Sequence, residues 1–481
     1  MDSYKSLIKD TSVYGLAAVL PRVITFILTA VFTTALTTKG FSDQTNWFIY
    51  AAFINAFLSM GMETSFFRFY NLEEDKSSII HHSFSIILVN TMVFSALGLL
   101  FAATITKWSG FDDPNVIKIL ILTTVLDAWA IIPLAIIRVT HRPWKYLLIK
   151  CINVVVYFIL TFIFLIYLPK QTLPFSWAKY FYTGYSPGVF HIVLANFVAS
   201  ALTILLLVKE FRSIRFSFDK DIWHRLLLYG LPIMIGGIAF IVNENFDKLY
   251  ISQVLGSDIN GIYSASYRLG VFMTLYITAF RLGAEPFFFN VAKDADAKTK
   301  YKTVMHWFIL LGSLLMVAVM IFIDVIADIL LRQQEYKQGL IIVPILLLAN
   351  LFSGIYINLS IWYKLTNRTS MGMYISIFGA MLTIVSLMIF VPIFGYIGGA
   401  YATLFTYSFM AVISYLLGKK YYPVPYDLWK AGWIIGVSSA LSFASFHLFR
   451  GNYLVNSIIF IGYVGFLWKM EGEGLKRLMR G

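Results

Sequence analysis

The 481 residues contain one cysteine, Cys151. A single thiol rules out an intramolecular disulfide, and with it the stapled secreted scaffold and any cysteine-built metal centre. Charge is equally scarce. Asp, Glu, Lys and Arg make up 13% of the chain, where a soluble domain carries roughly 25%. A chain this poor in charge cannot cover a globular surface with polar groups, so an ordinary soluble enzyme is excluded, as is disorder. The histidines, at 81, 82, 141, 191, 224, 306 and 447, all fall near the ends of apolar runs and show no metal-ligand spacing. No metal or other cofactor is expected. The patterns G-x-x-x-x-G-K-[ST] and H-E-x-x-H are both missing, so ATP hydrolysis and zinc proteolysis have no support within the chain.

What the chain has instead is apolar length. Hydrophobic residues make up 59% and aromatics 17%, and the mean hydropathy is +0.75. A membrane helix needs about 20 mostly apolar residues. Such runs recur about fourteen times, at 13–36, 47–69, 82–105, 116–138, 147–168, 188–209, 226–252, 262–289, 304–330, 338–363, 372–391, 397–418, 428–449 and 454–470. None alternates as a barrel strand would. The reading is an all-α polytopic membrane protein of about 14 transmembrane helices. The first run is too long for a signal-peptide core and lacks a small-residue cleavage pattern, so it reads as a retained span. The longest loop is about 169–187, and no segment is long enough for a folded extramembrane domain.

The net charge of +13 is a matter of topology. With the N-terminus inside, the N-terminal tail, the loops after even-numbered spans and the C-terminal tail hold 26 of the 38 basic residues, and the loops after odd-numbered spans hold 8. Lys and Arg favour the cytoplasmic side, so both termini are expected there. Four cations belong to no loop: Arg22, Lys248, Arg268 and Arg281.

The chain also repeats itself. Tyr14-Gly15-Leu16 opens the first span and Tyr229-Gly230-Leu231 the seventh. Ile49-Tyr50-Ala51-Ala52 is matched by Ile262-Tyr263-Ser264-Ala265. Gly61-Met62-Glu63-Thr64-Ser65-Phe66-Phe67 is matched by Gly283-Ala284-Glu285-Pro286-Phe287-Phe288-Phe289. Three matches in order at nearly constant offset point to duplication. Six spans per copy is an even number, so the copies share one orientation, and two six-helix lobes are expected about an axis along the membrane normal, with a site between them. The expected organisation is an N-lobe at 1–210, a cytoplasmic loop at 211–225, a C-lobe at 226–420 and an appendage of two spans with a tail at 421–481.

A charge at the bilayer centre costs about 2.5–3.5 kcal/mol on insertion scales, and retained ones face a cavity or a partner. Arg22 lies roughly 14 Å into the first span at 1.5 Å per residue, directly after Pro21. It is either an assembly pairing or a cavity-facing cation, and the second reading weighs more. The seventh span carries Asn243, Glu244, Asn245, Asp247 and Lys248, with Glu244 and Lys248 in the favourable i,i+4 order. So much polarity requires a wet or well-paired face, which suggests a pathway for substrate or a coupling ion, proton or sodium. Arg281 and Glu285 are again i,i+4, so mutual pairing is the plain reading for both. Arg268 lies near the outer end and can snorkel. Asp127, halfway along the fourth span, is either a cation's partner, for instance Arg22's, or a carboxylate that titrates during transport. Glu63 and Arg68 sit at the expected inner mouth. Aromatics such as Trp47, Trp108, Trp144, Trp177 and Trp429 read as interfacial belts, and Tyr180-Phe181-Tyr182 as interfacial or sugar-contacting.

Leu231-Pro232 opening the seventh span, the Asp247-Lys248 pair, Gly261-Ile262-Tyr263-Ser264-Ala265, and the Gly61…Arg68-Phe69 ending of the second span together resemble Wzx-type polysaccharide flippases. These belong to the multidrug/oligosaccharidyl-lipid/polysaccharide (MOP) exporter superfamily, with the lipid II flippases and the MATE multidrug exporters. The resemblance implies two lobes around a V-shaped cavity open alternately to each side, a gap between spans one and eight for a prenyl tail, and a bacterial inner membrane. It also implies a polyprenyl-diphosphate-linked oligosaccharide as cargo and a monomeric transport unit. Arg22 with Lys248, Arg268 or Arg281 would then neutralise the diphosphate. A MATE-type exporter of cationic drugs would prefer a cation-poor cavity. A membrane glycan polymerase or ligase would need an outer loop bearing acids, Arg or His, which 169–187 lacks.

Overall fold

The computed structural model describes residues 2–170, 188–366, 368 and 370–478, and these are helical with no strand among them. The expected long loop, with Trp177 and Tyr180-Phe181-Tyr182, lies outside the described residues apart from its first two positions. Helices are the expected outcome because hydrocarbon offers backbone N–H and C=O groups no partner other than their own turn. Their starts follow local chemistry. Asp75 accepts from the Ser78 amide, Asp113 from the Asn115 amide ahead of Pro114, and Asp219 from the Asp221 and Ile222 amides, each satisfying donors that a first turn leaves open.

Among the described residues, eleven helices are long and apolar enough to cross a membrane. The other three expected spans are present but interrupted or less apolar. The run 47–69 divides into Thr38–Ser59 and Met62–Leu72. The run 262–289 divides at a 3-10 turn, Arg268–Gly270, between Ser257–Tyr267 and Val271–Asn290. The run 428–449 appears as Leu428–His447.

Contacts divide the chain into two compact units, Met1–Gly261 and Ile262–Gly481. In the first, the Lys220–Val254 helix packs against Thr38–Ser59 and Met62–Leu72, so the seventh expected span belongs with the preceding six by contact. The break in the second span follows from that crossing. Met60 and Gly61 both take positive φ, 47° and 69°, and a Cβ on Gly61 would stand 2.2 Å from the Gly230 carbonyl oxygen. Two backbones meet where neither residue has room for a side chain. Ser65 Oγ then donates to the Leu226 carbonyl at 3.0 Å.

In the second unit the Val343–Leu359 helix is buried along nearly its whole length and packs against Ile397–Tyr421, which in turn packs against Ser370–Phe394. The outward face of Ser370–Phe394 carries Tyr374, Phe378, Met381, Val385, Met388 and Ile393, all exposed. That helical spacing makes an apolar stripe suited to lipid. One aromatic departs from the interfacial reading. Trp47 is 1% exposed, and its Nε1 donates to the Val116 carbonyl at 3.3 Å, because an indole that finds a buried acceptor gains more from packing than from an interface. Trp108, Trp144 and Trp429 are exposed as expected.

Candidate functional site

Two clusters lie in the interior of the first unit. On the Lys220–Val254 helix, Lys248 Nζ donates to Asp247 Oδ1 at 2.9 Å and to the Glu244 carbonyl at 2.9 Å. The Lys248 backbone amide donates to the same carboxylate oxygen. The two charged side chains are 6% and 4% exposed. Lys248 thus reaches back one turn, where the Glu244 carbonyl accepts from it, and it has the adjacent carboxylate as a counter-ion. Its charge is matched in place, so an anionic cargo would have to compete with Asp247 for it. Asn243 is buried beside the pair and Glu244 is half-buried.

The other cluster surrounds Asp127 on the Pro114–Val139 helix. Ser200, on Val189–Leu206, donates to Asp127 Oδ1 at 2.7 Å. Asn55 hydrogen-bonds the same carboxyl, and Lys150 is its nearby cation. Lys150 stands on Pro143–Phe162 and also feels Glu63 and Arg138.

At the expected inner mouth of this unit, Arg138 donates to Glu63 Oε1 at 2.6 Å and lies 4.6 Å from the centre of the Phe67 ring. Arg68 lies over Tyr229 at 4.3 Å, and Arg225 pairs with Glu73 at 2.6 Å. At the opposite end of the unit, outside the expected spans, Lys39 pairs with Asp112 at 2.5 Å and Thr38 donates to Asp258. Burial pushes the Asp43 carboxyl there up to about 6; Lys39 opposes the rise, and Asp112 and Asp258 add to it.

In the second unit, Glu285 on Val271–Asn290 receives Lys364 Nζ at 2.5 Å and lies 3.8 Å from Arg281 Nε. The three line a small, open cleft together with Ile277, Phe280, Asn358 and Ser360. Arg268 is half-buried in the 3-10 turn Arg268–Gly270 that separates Ser257–Tyr267 from Val271–Asn290. Arg22, on Asp2–Ala35, is exposed beside Pro21.

Sequence reasoning passed over Arg138, Lys150 and Lys364, assigning them to loops because they stand at span ends. The available signal was the repeated G-x-E-x-x-F-F pattern, whose glutamate requires a cation wherever it is partly desolvated.

A family model described as "Polysaccharide biosynthesis protein" matches residues 7–291. Among curated proteins, an uncharacterized membrane protein of Methanocaldococcus jannaschii is 24% identical over 238 residues, 47% of this chain and 56% of that protein. The match therefore spans little more than half that relative's length. An uncharacterized membrane protein of Haemophilus influenzae is 19% identical over 61% of this chain and 68% of its own length. Among solved structures, the lipid II flippase MurJ in an inward closed conformation superposes with a TM-score of 0.73 at 16% identity, covering 96% of this chain and 99% of that one. An inward-facing MATE multidrug transporter of the MOP superfamily gives 0.67 at 12% identity, covering 83% and 94%. The fold is that of this superfamily.

Proposed function

Because the chain belongs to the polysaccharide biosynthesis protein family, we propose that this multi-pass membrane protein is a flippase. It moves a polyprenyl-diphosphate-linked oligosaccharide from the inner to the outer leaflet of a bacterial inner membrane by alternating access, with both termini cytoplasmic. It carries out no covalent chemistry. The observation that carries the reading is the retention of Arg22, Lys248, Arg268 and Arg281 within apolar spans of a chain in this family. A diphosphate cannot cross hydrocarbon unaided, and intramembrane cations that offer charge-assisted hydrogen bonds lower that barrier. MurJ, named as a flippase of lipid II, supports lipid-linked cargo on this fold.

A drug exporter is the second reading, favoured by the MATE likeness and by Asp127, Glu244 and Asp247. The four cations argue against a site for cationic drugs. Arg22→Ala tests the leading reading. Export of the glycan should fall about tenfold or more at normal protein level, the loss expected for one charge-assisted contact. Unimpaired export would remove Arg22 from the cargo path. Unimpaired glycan export in a deletion strain with raised drug sensitivity would favour the exporter.

A further inference from the structure

Two adjacent histidines, His81 and His82, stand near the start of Lys76–Leu100 and belong to none of the clusters described above. What they bond is the connection from the sixth expected span to the seventh. It leaves Val208–Phe211, runs without helix through residues 214–219 and ends at the Asp219 cap of Lys220–Val254. A non-helical stretch has to find partners for its backbone donors elsewhere. His81 Nδ1 accepts from the Arg215 amide at 3.3 Å, and Ser85 Oγ accepts from the Ser217 amide at 2.9 Å. Ser217 Oγ and His82 Nε2 are 3.3 Å apart. Apolar contacts run beneath these bonds. Phe211 meets Phe84 edge-on at 5.6 Å, and Ile214, Ile222 and Trp223 pack against the cluster of Ile79, Phe84 and Leu226. The connection thus ties the first turns of Lys220–Val254 to the start of Lys76–Leu100, just ahead of the crossing where Gly230 meets Gly61.

The polar half of this tie depends on neutral imidazoles. A ring nitrogen accepts a hydrogen bond only while it carries no proton. His81 Nδ1 is the acceptor for Arg215, so the ring proton is on Nε2, which faces Ser77 Oγ at 3.2 Å. A second proton would occupy Nδ1 and set it donor against donor with the Arg215 amide. His82 is 4% exposed, and its Nδ1 is buried with no hydrogen-bond partner. A second proton there would be a buried donor with nothing to receive it. The charged neighbours supply no compensation. Arg215 on the connection and Lys76 on the same helix are cations. Asp75 caps the Ser78 amide, Asp219 caps the Asp221 and Ile222 amides, and Glu73 pairs with Arg225. Glu74 and Asp221 are exposed. Among the described residues no carboxylate bonds either ring.

We propose that His81 and His82 form a proton-operated clasp. Neutral, they hold residues 214–219 on Lys76–Leu100 and keep the start of Lys220–Val254 in place. Protonated, they release the connection and free that start to move. The clasp is therefore closed at higher pH and opens as the pH falls. Histidine is the side chain whose charge changes in the physiological range, so the clasp responds to acid on the side of the membrane where these loops lie. In a flippase it would let acid on that side set how freely the seventh span moves, but the clasp itself does not depend on what the chain carries.

The test is hydrogen–deuterium exchange of the purified full chain in detergent, read on peptides covering residues 212–219 at about pH 8 and about pH 5.5. Exchange is expressed as protection over the intrinsic rate at each pH. Protection of the Arg215 and Ser217 amides should fall about tenfold at the lower pH, the loss expected for one or two hydrogen bonds, while Val343–Leu359 stays protected. His81→Asn keeps an acceptor in the place of Nδ1 and His82→Gln keeps an amide donor in the place of Nε2, and neither titrates. The double variant should hold its protection at both pH values. His81→Leu, which offers no acceptor, should leave the Arg215 amide unprotected at both. Asp43→Asn removes the raised carboxyl at the opposite end of the unit and should leave the pH response of these peptides unchanged. Equal protection at the two pH values in the wild-type protein, or a fall that persists in the double variant, would overturn the clasp. So would a fall of the same size in Val343–Leu359, which would assign the response to the whole fold.

Discussion

Replacing Lys248 by Met, with Asp247 left in place, should be far more damaging than replacing both. The ammonium and the carboxylate are 2.9 Å apart and 6% and 4% exposed. At an effective dielectric of about 20, two unit charges at that distance attract by about 6 kcal/mol. Desolvation of the two ions offsets most of this, so the intact pair is close to neutral against an apolar pair of the same volume. Removing one partner forfeits the attraction and leaves the desolvation in place, at about 3–5 kcal/mol. Asp247 would keep the amide hydrogen bond from residue 248, which softens the loss toward the lower figure. Lys248→Met should therefore cost about 3 kcal/mol or more, and Asp247→Asn a similar amount. The Asp247→Asn, Lys248→Met double variant should fall within about 1 kcal/mol of wild type. The assay is the fraction of monodisperse protein surviving a temperature series in detergent, run on all four proteins as a double-mutant cycle. Additive losses would refute the reasoning, because they would mean that the two charges do not compensate one another.

Two further outcomes follow from the same structure. Gly61→Ala places a Cβ 2.2 Å from the Gly230 carbonyl at a φ of +69°, so left-handed strain of about 1–2 kcal/mol adds to overpacking of about 1–3 kcal/mol. Gly110→Ala, at φ +78° in open space, should show the strain alone, and equal melting losses for the two would disprove the crossing. Asp43, with its carboxyl raised to about 6, binds its proton more tightly in the folded state than in the unfolded state. Its contribution to stability is full below about pH 4 and lost as the pH rises through about 6. Asp43→Asn should therefore melt higher than wild type at pH 7.5 and flatten the dependence between pH 4 and 6; an unchanged slope across that window would remove Asp43 as its source.

Which parts of this molecule could be read from its letters follows from the range of the forces involved. Spans are legible because each helix satisfies its own backbone and its hydropathy is a sum over neighbours. The break at Met60-Gly61 was not, because the run is apolar throughout and the reason for the glycine, Gly230, stands far along the chain. Depth marked Arg22, Asp127 and Lys248 as costly residues. It could not say that Asp127 takes Ser200 or that Lys248 takes its immediate neighbour, since such pairings depend on rotamers and on which helices touch. Lys364 and Arg138 escaped notice for the opposite reason. A cation at a span end looks solvated until a glutamate from another helix is placed against it. Trp47 was misread for the same cause, its acceptor being a carbonyl on another helix.

The central claim is that this chain moves a lipid-linked saccharide across the membrane. The most direct test is to deplete the protein and determine in which leaflet the intermediate accumulates, using a membrane-impermeant glycan-modifying reagent on intact and inverted vesicles. The account predicts that a polyprenyl-diphosphate-linked saccharide builds up on the inner leaflet, inaccessible from outside and modified in inverted vesicles. Accumulation on the outer leaflet, or no accumulation while surface glycan is lost, would contradict it and place the protein after translocation.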